Sequence, residues 1–278
     1  CLRANRPLHR HPALRLMRAR EYVLITGASE GLGREFAKLF AADRFPIVLV
    51  ARNHSRLAEI ARELSSLHGV DVRIIAKDLS RPGAAQEIKE ELDGQAIAVG
   101  TLVNNAGCGI HGPFDRSDWK ATEAMLSLNI MALTHLTRLL LPGMIAKASG
   151  KVLNVASTAA FQPGPFMACY FASKAYVLSF TEALSGELSG TGVTATVFCP
   201  GPVKTQFQKR SGTEHIRENA FAMEAGPAAR MAYRDMMKGK RIVIPGFFNK
   251  LLAFLVRITP RGLVLKVTRF LEKGKTPS

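Results

Sequence analysis

A glycine-rich turn placed directly behind the first strand-like run restricts this chain more than any other feature. Residues 22–26 form a short apolar run of the buried-strand type, and the segment 26–33 follows without a gap, with glycines at Gly27, Gly31 and Gly33. A helical pattern then runs to about Ala42. Glycines at this spacing permit a tight turn and a close backbone approach, while a helix N-terminus offers unpaired N–H donors and positive potential to a phosphate. Strand, turn and helix in this order predict a dinucleotide site at the start of an α/β sheet.

The same alternation continues. Strand-like runs at 46–51, 70–76, 101–103, 151–155, 193–198 and 241–244 are separated by helical patterns at 53–67, 84–92, 118–147, 170–189 and 227–238. Seven strands alternating with helices predict a doubly wound parallel sheet covered on both faces. With 278 residues, 47% of them hydrophobic, the chain can fill one large core.

The end of the second strand bears on the cofactor. Sites that prefer NAD carry an acid there, which accepts hydrogen bonds from the ribose 2′-hydroxyl. Ala51 and Arg52 stand in its place. A guanidinium pairs with a 2′-phosphate and stacks on adenine, so Arg52 predicts NADP(H) over NAD(H). Read instead as a solvated residue after a strand, Arg52 leaves the missing acid unexplained.

Further along, Tyr170 and Lys174 lie four residues apart in a helical pattern, and Ser157 closes the apolar run that precedes them. Residues i and i+4 share a helix face, so an ammonium stands beside a phenol. A nearby cation lowers a tyrosine pKa of about 10 and suits the phenol to proton exchange. Tyr170 then serves as general acid or base, with Ser157 donating to the same substrate oxygen. Taken alone, a Tyr and a Lys at this spacing are also an ordinary solvated helix face.

Joined to the 26–33 turn, these residues resemble the short-chain dehydrogenase/reductase family from about Tyr22 to Gly246. The likeness includes Asp78, the run Asn104 to Gly107, Asn129, Ser157, Tyr170, Lys174, and Pro200-Gly201 followed by Thr205. It implies a single domain of Rossmann type, with hydride exchanged between a nicotinamide and a carbonyl or alcohol. Asn129, Ser157, Tyr170 and Lys174 are its catalytic residues, Asn129 holding a water for a proton relay through Lys174. Cofactor contacts are implied from Gly27, Ser29, Gly31, Leu32 and Gly33 at the turn, and from Arg52, Asn53, Asp78 and Leu79 at the adenosine. Asn105, Ala106 and Gly107 lie along the cofactor, Tyr170 and Lys174 at its ribose, and Pro200, Gly201, Val203 and Thr205 against the carboxamide. Glu30 departs from the pattern, since NADP-preferring relatives often carry Arg or Lys there. The resemblance also implies a homo-oligomer.

Charge is unevenly distributed. The formal net charge is +16, yet residues 1–20 hold six arginines and no acid, and residues 227–278 hold twelve Lys or Arg against Asp235 and Glu272. The stretch between them is neutral, which argues against a nucleic-acid partner. Residues 1–20 are expected to be a basic leader; without serine they make a poor transit peptide, and no apolar segment of signal-peptide length is present. No uninterrupted apolar run reaches 18 residues, so a spanning helix is not expected. Four cysteines without a CxxC pair or a zinc-like His spacing predict neither disulfides nor a metal site, and a reducing, cytoplasmic setting follows. Cys169, next to Tyr170, is expected to be a small buried thiol.

Two segments bear on the substrate. The stretch 206–226, the region that lids the pocket in the resembling family, mixes Phe207, Phe221 and Met223 with Lys209, Arg210 and Arg217. This suits a greasy substrate with an anionic handle, or equally a mobile surface loop. Residues 247–278 form a basic helical extension of two stretches, 247–259 and 261–273. Such amphipathic helices read as membrane-surface elements, or as helices that pack on the domain or a partner and wall the site. Similar tails occur in relatives resembling hydroxysteroid dehydrogenases and long-chain 3-oxoacyl reductases, which points to lipid-like substrates and lipid metabolism. Two functions follow: a carbonyl reductase for apolar substrates, and a membrane-surface or partner-binding protein that keeps the dinucleotide fold without turnover.

Overall fold

The structure is a computed structural model that describes residues 21–214, 216 and 222–273. The basic leader, Phe221 and Arg217 of the lid, and residues 274–278 lie outside the described residues.

The apolar runs form the strands expected of them. β1 (Glu21–Thr26), β2 (Ile47–Ala51), β3 (Val72–Ala76), β4 (Ala98–Asn104), β5 (Gly150–Val155), β6 (Val193–Phe198) and the two-residue β9 (Ile242–Val243) make one parallel sheet. Its order is β3-β2-β1-β4-β5-β6-β9, and each pair in it is parallel. A second, two-stranded ladder, β7 (Val203–Lys204) with β8 (Met223–Glu224), has no counterpart in the sequence pattern. Strand order reverses between β1 and β4, and in a doubly wound sheet the crevice at that reversal is where a ligand binds.

Helices cover both faces. α1 (Gly31–Ala42), α2 (His54–His68), α3 (Ala84–Gly94), α4 (Trp119–Leu126), α5 (Leu133–Ala146), α6 (Ala168–Glu187), α7 (Phe207–Ser211) and α8 (Ala225–Met237) follow the strands. The helical extension is α9 (Phe247–Ile258) and α10 (Arg261–Glu272). Local chemistry sets several ends: the Asn53 side chain accepts from Arg56 N at 3.0 Å to start α2, and Gly69, left-handed at φ 62°, stops it. One core lies on the side of α1, α2 and α8 around Phe36, Phe40 and Leu57, and the other on the side of α3, α5 and α6 around Leu24, Ile88 and Leu102. Each strand of a doubly covered sheet needs apolar side chains on both faces, which explains the continuous runs.

Between the layers runs a polar chain. Asn104 Nδ2 donates to Thr137 Oγ1 at 3.0 Å and to Asn154 Oδ1 at 2.9 Å, and Asn154 Nδ2 donates to Thr181 Oγ1 at 2.9 Å. Buried amides joined in this way fix the register of β4 and β5 against α5 and α6.

α4, a π-turn at Ser127–Ala132 and α5 form one helical stretch, Trp119–Ala146. Although no unbroken apolar run marks it, this stretch is long and apolar enough to cross a membrane. Packing accounts for part of its apolar surface: α5 lies on β4 and β5, where Leu133, Leu136, Leu140 and Met144 are buried, while Trp119, Met131 and Ile145 are exposed.

Candidate active site

A cleft of about 800 Å³ opens at the carboxyl ends of the strands, at the reversal of strand order. Every residue expected to bind cofactor or carry chemistry lines it except Gly33 and Asn129. Those two lie behind its wall.

The phosphate turn is built as its glycines require. Gly27 and Gly31 have φ of 64° and 52°, which side chains other than glycine adopt at a cost. A Cβ on Gly27 would sit 2.9 Å from Ala106 Cα, and one on Gly31 would sit 2.9 Å from Thr205 Cγ2. At Gly33 it would collide with Gly27 O, so Gly33 packs the helix against the turn instead of facing the cleft. Thr26 ties the turn to the neighbouring strand: its Oγ1 accepts from Asn105 N at 3.0 Å and Ala106 N at 2.9 Å, while Asn105 Nδ2 returns a bond to Thr26 O at 2.9 Å. Thr26 was absent from the expected site because its role depends on β1 and β4 being neighbours.

At the adenosine end, Arg52, Asn53, Lys77, Asp78 and Ser80 line the wall. Asp78 Oδ1 accepts from Ser80 N at 3.0 Å and Ser80 Oγ at 2.7 Å. Burial raises the Asp78 pKa, but the Ser80 bonds and the nearby Arg52 and Arg81 charges outweigh it and hold the carboxyl below its ordinary range. Asn53 faces the cleft as well as capping α2.

The reacting end is assembled by β5, α6 and the turn after β4. Helical spacing delivers Lys174 beneath Tyr170, its Nζ lying 5.8 Å from the ring centroid. Lys174 is 5% exposed and donates to Val155 O at 2.9 Å. Burial lowers its pKa from 10.5 to about 8. The same burial pushes the neighbouring Cys199 thiol up to about 12 and raises that of Cys108, so both thiols are held neutral. Cys169 is half-buried and not the enclosed thiol expected, because its position at the start of α6 places it at the edge of the apolar group around Tyr170.

Ser157 caps the short 3₁₀ turn Thr158–Phe161, accepting from Ala159 N at 3.1 Å. A hydroxyl that accepts on one lone pair keeps its proton to donate. Gly107 fits closely in this corner, where a Cβ would stand 3.3 Å from Lys174 Nζ and 3.2 Å from Asn129 Oδ1 and would press on both side chains.

The Asn129 side chain is engaged by protein atoms. Its Oδ1 accepts from Cys108 N at 3.0 Å, and its Nδ2 donates to Cys108 O at 2.9 Å and Ser173 Oγ at 3.1 Å. Both amide protons are thereby committed to protein atoms. Ser173 Oγ in turn donates to Tyr170 O at 2.7 Å. Asn129 therefore clamps the 107–109 segment to α6, and it sits in the π-turn, a distortion frequent at functional sites.

Beyond Tyr170 the cleft is apolar, with Cys108, Met125, Leu128, Met167, Phe171 and Ile216 on its walls. Phe207 of α7 closes over this end, its ring 5.5 Å from that of Tyr170. Arg210, expected as an anionic-handle partner, is engaged elsewhere: it forms a two-point pair with Glu30, with Nη2 to Oε2 at 3.0 Å. The extension reaches the site from the other side. Asn249 of α9 packs on Gly201, where a Cβ would stand 2.9 Å from Asn249 Nδ2, and Glu272 of α10 lines the cleft while its backbone O meets His111 Nε2 at 3.0 Å. α9 thus packs on the domain at Gly201 and the 158–161 turn, and α10 contributes Glu272 to the wall of the cleft.

Comparison with known proteins agrees with this geometry. The family described as short chain dehydrogenase matches residues 21–215. A very-long-chain 3-oxoacyl-CoA reductase from Anas platyrhynchos is 33% identical over 195 residues, which cover 68% of this chain and 62% of the relative, so the chain spans less than two thirds of that protein. Among solved structures, a short-chain dehydrogenase from Sphingobium yanoikuyae in complex with NADPH superposes with a TM-score of 0.78 at 30% identity, covering 87% of this chain and 94% of the other. A 7β-hydroxysteroid dehydrogenase superposes with a TM-score of 0.80 at 26% identity, covering 89% and 96%. With its turn, its cleft and its Ser157, Tyr170 and Lys174 in place on a matching seven-stranded sheet, the chain belongs to the short-chain dehydrogenase family.

Proposed function

We propose that this protein is an NADP(H)-dependent oxidoreductase that interconverts a carbonyl and an alcohol on an apolar substrate, such as a long-chain ketone, a steroid-like ketone or a 3-oxoacyl chain. The carrying observation is a single cleft that has a glycine phosphate cradle and Arg52 at one end and Tyr170 over a buried ammonium at the other. The cradle suits a dinucleotide by its backbone: Gly27 and Gly31 line the cleft with positive φ and no side chain, leaving the turn open to a phosphate. Arg52 offers the fork that a 2′-phosphate takes.

When bound, the nicotinamide supplies hydride to a carbonyl carbon or accepts it from an alcohol. In reduction, the Tyr170 hydroxyl gives its proton to the carbonyl oxygen as charge develops there, and Ser157 donates a hydrogen bond to that oxygen. One hydride and one proton add across the double bond. Lys174 places a positive charge under the phenol and favours the phenolate left behind. Asn129 acts by position, holding the 107–109 segment against α6. The apolar walls and the Phe207 ring favour substrates with hydrocarbon on both sides of the carbonyl. Following NADPH oxidation with ketones of increasing chain length tests this: kcat/KM rises with apolar length, and a preference for short polyhydroxy ketones would contradict it.

The extension supports a site of action at an anionic membrane surface. α9 exposes Phe247, Phe248, Leu252, Phe254 and Ile258, and α10 exposes Phe270; Phe248 is 78% exposed. Lys250, Arg257, Arg261, Lys266 and Arg269 are exposed on the same two helices. Two copies meeting there would oppose like charges, whereas anionic lipid satisfies both the apolar face and the cations. An apolar substrate dissolved in that surface would enter a cleft that α10 helps to wall. In flotation assays the full chain should rise with anionic phospholipid vesicles. Replacing Phe247 and Phe248 by Ser should weaken binding about ten-fold or more, since each buried Phe contributes about 1.5–3 kcal/mol. Equal flotation of both proteins, flotation of neither, or a concentration-dependent dimer lost in the variant would each contradict it.

A further inference from the structure

Glu30 is the one feature of the phosphate turn that opposes the proposed cofactor. It is the last residue before α1, its backbone is extended at φ −163°, and its side chain makes no capping bond to the helix. It lines the cleft beside the cradle. A free carboxylate here repels any diphosphate and repels a 2′-phosphate further, because a phosphate monoester adds between one and two negative charges at neutral pH. Arg210 reaches it from α7, 180 positions away in sequence, with Nη2 3.0 Å from Oε2 and Nη1 2.5 Å from Oε1. Such a fork-to-fork pair cancels the charge and fixes its geometry.

The pair also joins two parts of the site that lie far apart in the sequence. Gly31 packs on Thr205, just before α7, so the turn and the lid touch at two neighbouring points. On the same short helix, Phe207 lies against Tyr170. α7 therefore links the phosphate cradle to the reacting phenol. Arg210 lines the cleft and is more than half exposed, which leaves it within reach of a bound phosphate.

We propose that Arg210 is a specificity-determining positioning residue: by neutralising Glu30 it makes the cradle compatible with NADP(H), taking over from the lid the part that a basic residue within the turn would play. This rests on the reading of the cleft as an NADP(H) site. A surface ion pair with no such role contributes little to stability and nothing to cofactor choice.

The test is a titration of NADPH and NADH into wild type, Arg210→Ala, Arg210→Lys, Glu30→Gln and the Arg210→Ala/Glu30→Gln double variant, followed by cofactor fluorescence. Arg210→Ala should raise the NADPH Kd about ten-fold and the NADH Kd less, because the charge exposed acts on more negative charge in NADPH. Glu30→Gln alone should bind NADPH at least as tightly as wild type, and in the double variant it should restore most of the lost affinity. Arg210→Lys should keep most of it. The Arg210→Ala defect should shrink in high salt, as exposed charges are screened. Wild type binding NADPH with Arg210→Ala unchanged overturns the proposal alone, as does a double variant no better than Arg210→Ala or an equal loss for both cofactors. Wild type binding neither cofactor overturns the reading of the cleft and the proposal together.

Discussion

Replacing Tyr170 by Phe should lower kcat about 10²–10⁴-fold, the usual contribution of a positioned proton donor, while NADPH affinity and folding stay close to wild type. The variant removes one hydroxyl and keeps the ring. That ring contributes packing against Phe207 and Phe171, at centroid distances of 5.5 and 6.1 Å, and a phenylalanine retains both contacts. Apart from the Tyr170 hydroxyl itself, the groups that line the cleft toward the dinucleotide are untouched. A cofactor-oxidation assay run beside a binding titration separates the two properties. Turnover near the wild-type rate would show that the proton comes from elsewhere.

The second large effect concerns Lys174, where activity and stability should move in opposite directions. Its ammonium is buried, and burial pulls its pKa from 10.5 to about 8. The unfolded chain therefore binds that proton more tightly than the native one, and native stability rises with pH between about 8 and 10.5. At pH 7 both states are protonated and the full penalty is present, at most about 3 kcal/mol by the usual conversion of about 1.4 kcal/mol per unit. Lys174→Met removes the buried charge along with its bond to Val155 O. In urea unfolding at pH 7 the variant should be more stable than wild type by about 1–2 kcal/mol, an advantage that shrinks toward pH 10, while kcat falls by about 10²-fold or more. Carbonyl reduction by wild type should likewise slow as pH rises through about 8, where the ammonium loses its proton. A Lys174→Met variant that is less stable at pH 7 would mean that the lysine is retained for packing and not against a penalty.

Much of this architecture is legible in the chain because its signals are local. Apolar runs long enough to be buried on both faces mark β1, β2 and β6, and the 26–33 turn locates the crevice before any contact is known. Lys174 falls under Tyr170 because a helix places i and i+4 together, and α9 and α10 show their amphipathic pattern directly. The features that escaped depend on register across the fold. Thr26 matters because β4 lies beside β1. Asn129 becomes a clamp because a π-turn aims it at Cys108 and Ser173, and no residue pattern announces that turn. Glu30 looks like a misfit until Arg210 is brought to it from α7, and Glu272 looks like a surface acid until α10 folds back on the cleft. The β7–β8 ladder takes its pairing from neighbours, and its two-residue strands carry too little pattern to be seen, whereas β9 falls within the apolar run at 241–244. The criterion of an uninterrupted 18-residue apolar run also passed over 119–146, whose apolar residues are spread among polar ones, some buried against the sheet and others, such as Trp119 and Met131, exposed.

The central claim is that hydride passes between a nicotinamide and a carbonyl carbon in this cleft while Tyr170 handles the proton. The most direct measurement is isotope transfer: the full chain is mixed with NADPH deuterated at C4 and with a panel of apolar ketones and 3-oxoacyl thioesters, and the alcohol formed is examined by mass spectrometry. The predicted result is one deuterium on the carbinol carbon of at least one product, formed faster with NADPH than with NADH and nearly abolished in Tyr170→Phe. Folded, NADPH-bound protein that yields no labelled alcohol from any member of the panel would contradict it.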